Sequence, residues 1–377
     1  MKKTTVFIFL ISILFSGKSV EFSDSLISSV LTVSPGNELY STFGHTAIRV
    51  KDLQNGYDFV FNYGTFDFNT SNFYLKFAFG KLDYMLSVEP FDDFMEACKS
   101  EQRSVQEQVL NFDKTQNIIL IQLLITNYKP ENRYYRYKFF TDNCSTRIRD
   151  IIVFAAADNS LLSAPHVDAD STFRYLYTKY LNTMPWSRFG IDMVLGIPAD
   201  KKAGYDALFL PDDLQKSIAL ATNETTKKIL VKTQNTLLKC TPVAIHVSFF
   251  SPIVMMLIIL LSALLIQLKK NWSRIYDWCF FLIFGLVGLF IGTLSVFSGH
   301  AELHYNLVVL FLLPTNIFLP FVKSVSLRKY YLLIASGTLI LGLILLPLLP
   351  QKFNPAFVIL IIAIGFRYFF NIINLKK

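Results

Sequence analysis

Two residues far apart in the chain, Cys144 and His45, have the side chains and surroundings best suited to chemistry. Cys144 lies in the segment TDNCSTRIRD at 141–150, where a turn leads into a predicted helix. A thiol at a helix N-terminus faces unpaired backbone N–H groups and the positive end of the helix dipole, which lower its pKa. Arg147 and Arg149 add positive charge within the next turns. The pattern predicts a thiolate nucleophile, with the first N–H groups of the helix as oxyanion donors.

His45 is the predicted general base for this thiolate. It follows Gly44 at the head of a predicted strand. An imidazole in this role needs a polar group that holds it in the correct tautomer. Asn62, on the strand expected to pair with that of His45, is the first candidate, and Glu38 and Asp67 are weaker ones. The residue types alone leave open the alternative that the thiol and the imidazole only pack in a core.

The elements that must position these residues predict an α+β domain. The dipeptide Asn55-Gly56 between two alternating segments is a strong hairpin signal. Strands are expected over 46–50, 57–63, 73–80, 84–88, 105–112 and 134–140. Helices are expected over 91–103, 115–127 and 143–157, and near 172–181 and 211–238. We therefore place a domain core at 21–160 and a helical extension or linker at 161–245.

Composition and hydropathy indicate a membrane protein. Hydrophobic residues make up 52% of the chain and charged residues 17%, which is too apolar for a soluble protein. Five apolar runs, each near the length that crosses a bilayer, follow at 249–268, 276–297, 303–322, 330–349 and 354–373. They predict an all-α transmembrane domain of five helices over 246–377. The first 20 residues resemble a secretory signal peptide, with an uncleaved membrane anchor as the alternative.

The distribution of charge predicts the orientation of these helices. Lysine and arginine are concentrated in the first and third loops and at the C-terminus, which therefore face the cytoplasm. An exported N-terminal domain followed by an odd number of spans requires the same orientation. Because the net charge of +8 lies largely in these loops and no nucleic-acid motif accompanies it, nucleic acid is not an expected partner.

Two further groups of residues are worth noting. The loop 298–304 contains His300, Glu302 and His304, and ionisable side chains at a membrane boundary are often functional. It is interpreted either as a polar interfacial turn or as a functional group that binds a lipid headgroup or assists chemistry next to the bilayer. Of the four cysteines, Cys98 and Cys240 could form a disulfide. The cysteine spacing matches no zinc pattern, and no metal or cofactor is expected.

Three blocks of sequence resemble the Lnb lipoprotein N-acyltransferase family. They are GHTAIR at 44–49, FNYGTFDF at 61–68 and DNCSTRIRD at 142–150, in that order along the chain. The polar loop and Pro314 also resemble the membrane domain of that family. The resemblance implies a permuted papain-like fold of the NlpC type, in which the histidine precedes the cysteine, as in the lecithin retinol acyltransferase-like enzymes.

The resemblance also implies a reaction. Cys144 would accept a fatty acyl chain, taken from a phospholipid, and pass it to the α-amine of the lipid-modified N-terminal cysteine of a lipoprotein. His45 would be the base, with Asn62 or Glu38 positioning it. The expected partners are a phospholipid donor, a diacylated lipoprotein acceptor and membrane lipid. The expected location is the bacterial inner membrane, with a periplasmic N-terminal domain. Residues expected to bind or line the site are Asn143, Thr146, Arg147, Arg149, Tyr63, His300, Glu302 and His304.

Two other readings stay open. A membrane-tethered cysteine hydrolase, such as a cell-wall peptidase, an amidase or a lipase, could use the same thiol and imidazole. A non-enzymatic membrane sensor would need neither of them.

Overall fold

The chain folds into two units in a computed structural model. The structure describes residues 23, 25–158, 166–168, 170–223, 227–241 and 250–375, so the predicted signal peptide at 1–20 lies outside the described residues. The first unit comprises Met1–Tyr180 and Lys202–Ala244, and the second comprises Leu181–Lys201 and Ile245–Lys377. Residues of the predicted extension at 161–245 fall in both units, and its assignment as a helical extension or linker stays a prediction.

The first unit contains a seven-stranded antiparallel sheet with the order β6-β4-β3-β2-β1-β5-β7. Its strands are β1 (Leu26–Val33), β2 (His45–Asp52), β3 (Tyr57–Thr65), β4 (Asp83–Pro90), β5 (Val105–Leu110), β6 (Tyr134–Arg136) and β7 (Val231–Leu238). Among the described residues before 250, the α-helices are α1 (Phe73–Ala78), α2 (Phe91–Ser100), α3 (Lys114–Tyr128), α4 (Cys144–Ala156), α5 (Phe173–Thr178), α6 (Pro185–Val194) and α7 (Pro211–Leu220). The predicted hairpin at Asn55-Gly56 is confirmed, since Asp52 pairs with Tyr57.

Both faces of the sheet are covered by helices. On one face, Phe94 and Cys98 of α2 pack with a buried group from four strands, which consists of Leu31, Val33, Ala47, Val60 and Val105. On the other face, α3, α4 and α7 contribute Leu120, Ile148, Leu214 and Ile218 to a larger core. Because both faces are covered, β1 is buried along almost its whole length, including its polar residues Ser28, Ser29 and Thr32. The central strands β2 and β3 thus have a rigid position between two layers.

Several predicted elements differ in the structure. The strand expected over 73–80 is absent: residues 73–78 form α1, because their apolar side chains are consecutive and do not alternate. β1 was not predicted, and the strand expected over 134–140 ends at Arg136. The helix expected over 211–238 ends at Leu220, and β7 follows as a polar edge strand with weak alternation. The four cysteines are free thiols, so the suggested Cys98–Cys240 disulfide is not formed.

The second unit is helical. Its long helices are α8 (Pro252–Leu265), α9 (Lys270–Phe297), α11 (Val325–Leu345) and α12 (Pro355–Asn374). Within the described part of the chain, four segments are long and apolar enough to cross a membrane: Asn271–Phe297, Ala301–Phe321, Val325–Leu348 and Pro355–Asn374. The apolar helix Pro252–Leu268 is shorter, and the count of five spans stays a prediction.

The third predicted span, 303–322, is not a continuous α-helix. It consists of a 3₁₀ turn at Ala301–Leu303, the short helix α10 (Val308–Phe311) and a 3₁₀ helix at Pro314–Phe321. Pro314 and Pro320 each lack a backbone donor, which prevents a regular α-helix here. Irregular backbone at membrane depth needs protein around it, and α9 packs along the 3₁₀ helix.

The segment Leu181–Lys201 belongs to the second unit because two buried amides hold it there. The Asn306 side chain donates to the carbonyls of Met193 and Val194, both at 2.9 Å. The Gln351 side chain donates to the carbonyl of Leu195 at 3.0 Å and to Asn306 Oδ1 at 3.0 Å. Buried amides of this kind are costly unless they are paired, so the contacts tie α6 firmly to the helical unit.

Candidate active site

Cys144 is the first residue of α4, and Asn143 is the cap that begins this helix. The Asn143 side-chain oxygen accepts from the backbone N–H groups of Ser145 at 2.8 Å and Thr146 at 2.9 Å. The Thr146 hydroxyl in turn accepts from the Asn143 N–H at 2.8 Å, which completes a capping box. Asn143 also donates to the carbonyls of Phe139 and Phe209. These contacts hold Cys144 in one position.

The cap also changes the prediction about the oxyanion. The N–H groups of Ser145 and Thr146 already donate to Asn143 and are therefore not available to a substrate. The N–H of Cys144 comes first in the helix, where no intrahelical acceptor exists. The Cys144 N–H therefore remains a candidate donor to an oxyanion.

His45 is the first residue of β2, and it meets Cys144 at the end of the sheet. The imidazole and the Cys144 sulfur are hydrogen-bonded, although 98 residues separate them in sequence. The Thr46 backbone N–H and the Ser145 hydroxyl also donate to the sulfur. Ser145 and Thr46 are bonded to each other at 3.0 Å through their hydroxyls, which links the start of α4 to β2.

Asn62 holds the other side of the imidazole. Its Oδ1 lies 3.1 Å from His45 Nε2, and its Nδ2 donates to Glu89 Oε1 at 2.6 Å. The register explains the arrangement: Ile48 pairs with Phe61, which places Asn62 beside Ala47, and Val60 pairs with Glu89. Asn62 and Glu89 therefore lie on the same face of the sheet as His45. Glu89 was not predicted, because nothing in its local sequence marks it.

Tyr137 is a second residue that the sequence did not single out. Its phenol lies near the Cys144 sulfur and interacts with it, and burial raises the pKa of Tyr137 well above the usual range, so it stays a neutral donor. Gly64, with a φ of +90°, allows this approach, because a Cβ there would lie 3.2 Å from the Tyr137 ring and 3.9 Å from Cys144. The FNYG block thus contributes through its glycine as well as through Asn62.

The electrostatics of the site favour an ion pair. Burial alone raises the pKa of the Cys144 thiol, but the charge and hydrogen bond of His45 and the N–H of Thr46 lower it to about 7. Burial alone lowers the pKa of His45, yet Cys144 and the hydrogen bond with Asn62 raise it above its ordinary value. Both shifts stabilise a thiolate next to an imidazolium, which is the nucleophilic form of a cysteine enzyme.

The surroundings of Glu89 disfavour the charged form of its carboxyl group. Its pKa is raised, first by burial and then by the nearby Asp93, while His45 and Asn62 act in the opposite direction. Through Asn62 it sets the direction of the hydrogen bond to the imidazole. The side chains of Glu38 and Asp67 are exposed, and neither has the place that Asn62 occupies on His45.

The other predicted binding residues of this unit have structural partners. Arg147 forms a two-point ion pair with Asp142 and covers the Tyr135 ring. Arg149 is buried and pairs with Asp150 at 2.7 Å. Tyr63 is buried in the core, where its hydroxyl accepts from Asn127 at 2.7 Å. Together with the cap residues Asn143 and Thr146, these side chains stabilise the structure around Cys144.

The polar loop belongs to the second unit. The Glu302 carbonyl accepts from the Gly196 N–H at 2.9 Å, and a Cβ at Gly196 would collide with the backbone of His304. His304 Nε2 donates to the Ser298 carbonyl at 2.9 Å, and His300 Nδ1 lies 3.5 Å from the Glu302 carboxylate. These contacts stabilise the turn. Headgroup binding by the loop stays a prediction.

Comparison with protein families defines the class of the chain. The family model for the Lnb N-terminal periplasmic domain matches residues 21–179, and the model for the Lnb transmembrane domain matches residues 244–377. The two matches define a membrane protein with a periplasmic N-terminal domain and a C-terminal transmembrane domain. The chain belongs to the Lnb family, which confirms the resemblance found in its sequence. No curated protein and no solved structure matches the chain.

The fold and the location are established at a coarser level than predicted. An antiparallel sheet domain followed by a helical membrane domain is confirmed. The assignment to a permuted papain-like fold, the inner membrane as the location and the cytoplasmic C-terminus stay predictions.

Proposed function

We propose that this protein is a cysteine-dependent lipoprotein N-acyltransferase of the bacterial inner membrane. The observation that supports the proposal most directly is the thiol of Cys144, which has a pKa of about 7, next to an imidazole bonded to Asn62. A thiolate stabilised near neutral pH, in a periplasmic domain joined to membrane spans, suits acyl transfer between two lipids. Cys144 is the proposed acyl carrier and His45 the proposed acid and base.

In the first half-reaction, the Cys144 thiolate attacks an ester carbonyl of a glycerophospholipid. The carbonyl π bond opens to an oxyanion, for which the Tyr137 phenol and the Cys144 N–H are the proposed donors. The oxyanion collapses, the C–O ester bond breaks, and the imidazolium of His45 protonates the leaving alkoxide. The products are a thioester on Cys144 and a lysophospholipid, with His45 left neutral.

In the second half-reaction, the α-amine of a diacylglyceryl-cysteine at a lipoprotein N-terminus attacks the thioester. Neutral His45 takes a proton from the attacking nitrogen, the C–S bond breaks, and an amide forms. Cys144 returns to the thiolate and His45 to the imidazolium, so the ion pair is regenerated. Microscopic reversibility gives the histidine both roles, and its hydrogen bond with Asn62 keeps it oriented in each.

Transfer to an amine requires that water does not hydrolyse the thioester first. An amine is the better nucleophile, and a site that excludes water preserves this advantage. Cys144 is buried, and apolar residues such as Ile148 of α4 surround the start of its helix. Both lipid substrates are anchored in a bilayer, which explains why a catalytic domain would be joined to several spans.

The test uses the full chain in proteoliposomes. The donor is a phospholipid with an isotope-labelled acyl chain, and the acceptor is a synthetic diacylated lipopeptide with a free N-terminal cysteine amine. Mass spectrometry should find the label first as a hydroxylamine-sensitive adduct on Cys144 and then as an amide on the lipopeptide. C144S should give neither product and still be membrane-inserted.

Two outcomes contradict the proposal. If the label appears as free fatty acid while the lipopeptide is unchanged, the protein is a lipid hydrolase. If Cys144 acquires no acyl group, the thioester route is wrong. In cells, the N-termini of lipoproteins should contain one acyl chain more with this protein than without it.

A further inference from the structure

The periplasmic domain has an exposed apolar surface next to the candidate active site. We call it the aromatic patch. It is formed by two segments of chain, and its exposed large side chains are Leu39, Tyr40, Phe68, Tyr74, Leu75 and Phe77. Contiguous exposed apolar surface of this kind usually marks an interaction site.

Helix α1 is the most unusual part of the aromatic patch. Its sequence is FYLKFA, and none of its six residues is buried. A helix this short gains little from its own hydrogen bonds and normally depends on packing of an apolar face. Here Tyr74 and Leu75 point outward, with 80% and 59% of their surface exposed. Phe73 packs against the core of the domain, whereas the exposed side chains of Tyr74 and Leu75 do not contribute to it.

The aromatic patch is continuous with the candidate nucleophile. Phe73 of α1 packs on Phe66, with ring centroids 5.7 Å apart, and Phe66 packs on Tyr84 at 5.3 Å. Tyr84 stacks on Tyr137 at 4.5 Å, and the phenol of Tyr137 lies near Cys144 and interacts with it. An apolar path of aromatic rings thus leads from the exposed surface to the sulfur.

The second segment of the aromatic patch is joined to the first by ring contacts. Tyr40 packs edge-on against Phe66 at 6.4 Å and against Phe68 at 6.1 Å. Tyr40 lies five residues before His45 in sequence, in the loop that leads into β2. The aromatic patch is therefore connected to the candidate active site by ring contacts.

The composition of the aromatic patch indicates which kind of partner it binds. Tyrosine and phenylalanine rings at a boundary between apolar and polar surroundings are typical of lipid interfaces. Lys76 in the last turn of α1 and Lys81 just after it supply positive charge for lipid phosphate groups. The chain also contains membrane-spanning segments, so this domain is tethered to a bilayer.

We infer that the aromatic patch docks on the periplasmic leaflet of the bilayer, inserting Tyr74, Leu75 and Phe77 among the lipid headgroups. The docked surface brings the aromatic path to Cys144 into contact with lipid. The inference rests on the exposed surface and on the membrane anchoring of the chain, and it holds whether or not the thiol transfers acyl groups.

Photo-crosslinking tests the docking in the intact protein. The full chain is reconstituted in vesicles of phosphatidylethanolamine and phosphatidylglycerol that contain a phospholipid with a diazirine near its headgroup. After irradiation, peptide mass spectrometry should find lipid adducts on residues 73–77 and on 39–40. Tyr175 and Leu220, with 72% and 59% of their surface exposed on the same unit, should have at least tenfold fewer adducts.

Matched substitutions test whether docking serves the site. Y74S/L75S removes a tyrosine and a leucine from the aromatic patch, and Y175S/L220S removes an equally exposed tyrosine and leucine elsewhere. Alkylation of Cys144 by water-soluble iodoacetamide reports an intact site in both. Labelling of Cys144 by a lipid-borne electrophile, an α-iodoacetyl group on a phospholipid, should fall at least tenfold in Y74S/L75S only.

The outcomes separate this inference from the proposed function. Crosslinks on α1 with no acyl group ever found on Cys144 would support docking and reject acyl transfer. Acyl transfer by the wild type without lipid adducts on the aromatic patch would reject docking alone. Equal loss of lipid-borne labelling in the two double variants would also overturn the inference, as would a protein adduct at α1 in place of a lipid adduct.

Discussion

The imidazole of His45 and the side-chain amide of Asn62 are joined by a hydrogen bond of 3.1 Å between Nε2 and Oδ1. The direction of this bond follows from Glu89, whose carboxylate oxygen accepts from Asn62 Nδ2 at 2.6 Å. The amide nitrogen must face the acceptor, so Asn62 Oδ1 faces the imidazole and accepts from a protonated Nε2. Nδ1 is then the nitrogen that exchanges a proton with the sulfur of Cys144.

Asn62→Ala should lower acyl transfer by about 10- to 100-fold, as is typical when a group that orients a catalytic residue is removed. Glu89→Gln should cause a smaller loss, because a neutral amide no longer imposes the direction of the Asn62 side chain. Both are positioning residues, so the pH profile of Cys144 alkylation should change along with the rate. Asn132→Ala, at an exposed turn, is the control. An unchanged pH profile in Asn62→Ala would contradict this role.

The rate of Cys144 alkylation should rise with pH and inflect near pH 7, because the thiol has a pKa of about 7. A thiol reacts as the thiolate, so the rate is low below that pH and reaches a plateau above it. In His45→Ala, burial is no longer opposed by the imidazole, and the inflection should move to higher pH. Reactivity is followed at each pH by mass spectrometry of the alkylated peptides.

Cys98 provides an internal control for that measurement. Burial raises its pKa to about 11, with Arg103 acting against the shift, so it should stay almost unreactive at pH 7. If Cys98 and Cys144 are alkylated at similar rates at pH 7, the imidazole does not activate Cys144.

Tyr137→Phe should lower acyl transfer by about 100-fold, the usual effect of removing one oxyanion donor. Alkylation of Cys144 at pH 9 develops no oxyanion, so its rate should be close to that of the wild type. The ratio of the two rates is the measurement that isolates a transition-state role. Tyr134→Phe, at an exposed neighbouring position, should change neither rate. A parallel fall in both rates for Tyr137→Phe would indicate a role in packing instead.

Asn143→Ala should destabilise the periplasmic domain by about 2 kcal/mol or more, because it removes a helix cap and leaves buried backbone groups unpaired. The groups that lose partners include the N–H of Ser145 and the carbonyl of Phe209. Asp113→Ala removes the exposed cap of α3 and should cost only about 1 kcal/mol. Thermal denaturation of the full chain in detergent, followed by circular dichroism, compares the two variants. A smaller effect for Asn143→Ala than for Asp113→Ala would contradict the structural role.

Arg367→Met should destabilise the membrane unit by about 3–5 kcal/mol, since it leaves a buried carboxylate unpaired. Arg367 is fully buried and donates to Asp277 at 2.7 Å and to the Ala263 carbonyl at 2.8 Å. R367M/D277N removes the unpaired charge and should recover part of the loss. Arg136→Met breaks an exposed ion pair and should have almost no effect. The unfolding midpoint in detergent checks all three, and equal midpoints for R367M and R136M would contradict the prediction.

Much of this protein is readable from the sequence because the signals are local. Three of these signals depend only on neighbouring residues: the apolar runs, the Asn55-Gly56 turn and the start of the helix at Cys144. The structure contains the turn and this helix, and most of the apolar runs form long helices. The resemblance to the Lnb family also came from short blocks of sequence, and the family models confirm it. The sequence also indicated the thiol and the imidazole through the family resemblance, and Asn62 through the expected pairing of its strand with that of His45.

Tertiary structure decided what depends on the pairing of distant segments. Glu89 reaches Asn62 only through the register of β3 with β4, and Tyr137 reaches Cys144 only because Gly64 lets it approach. The strand β7 pairs with β5 in the sheet, and the segment Leu181–Lys201 belongs to the helical unit. Neither assignment can be predicted from the sequence of the segment itself. Strand register and inter-segment packing are determined by side chains far away in the chain, so a local pattern cannot contain them.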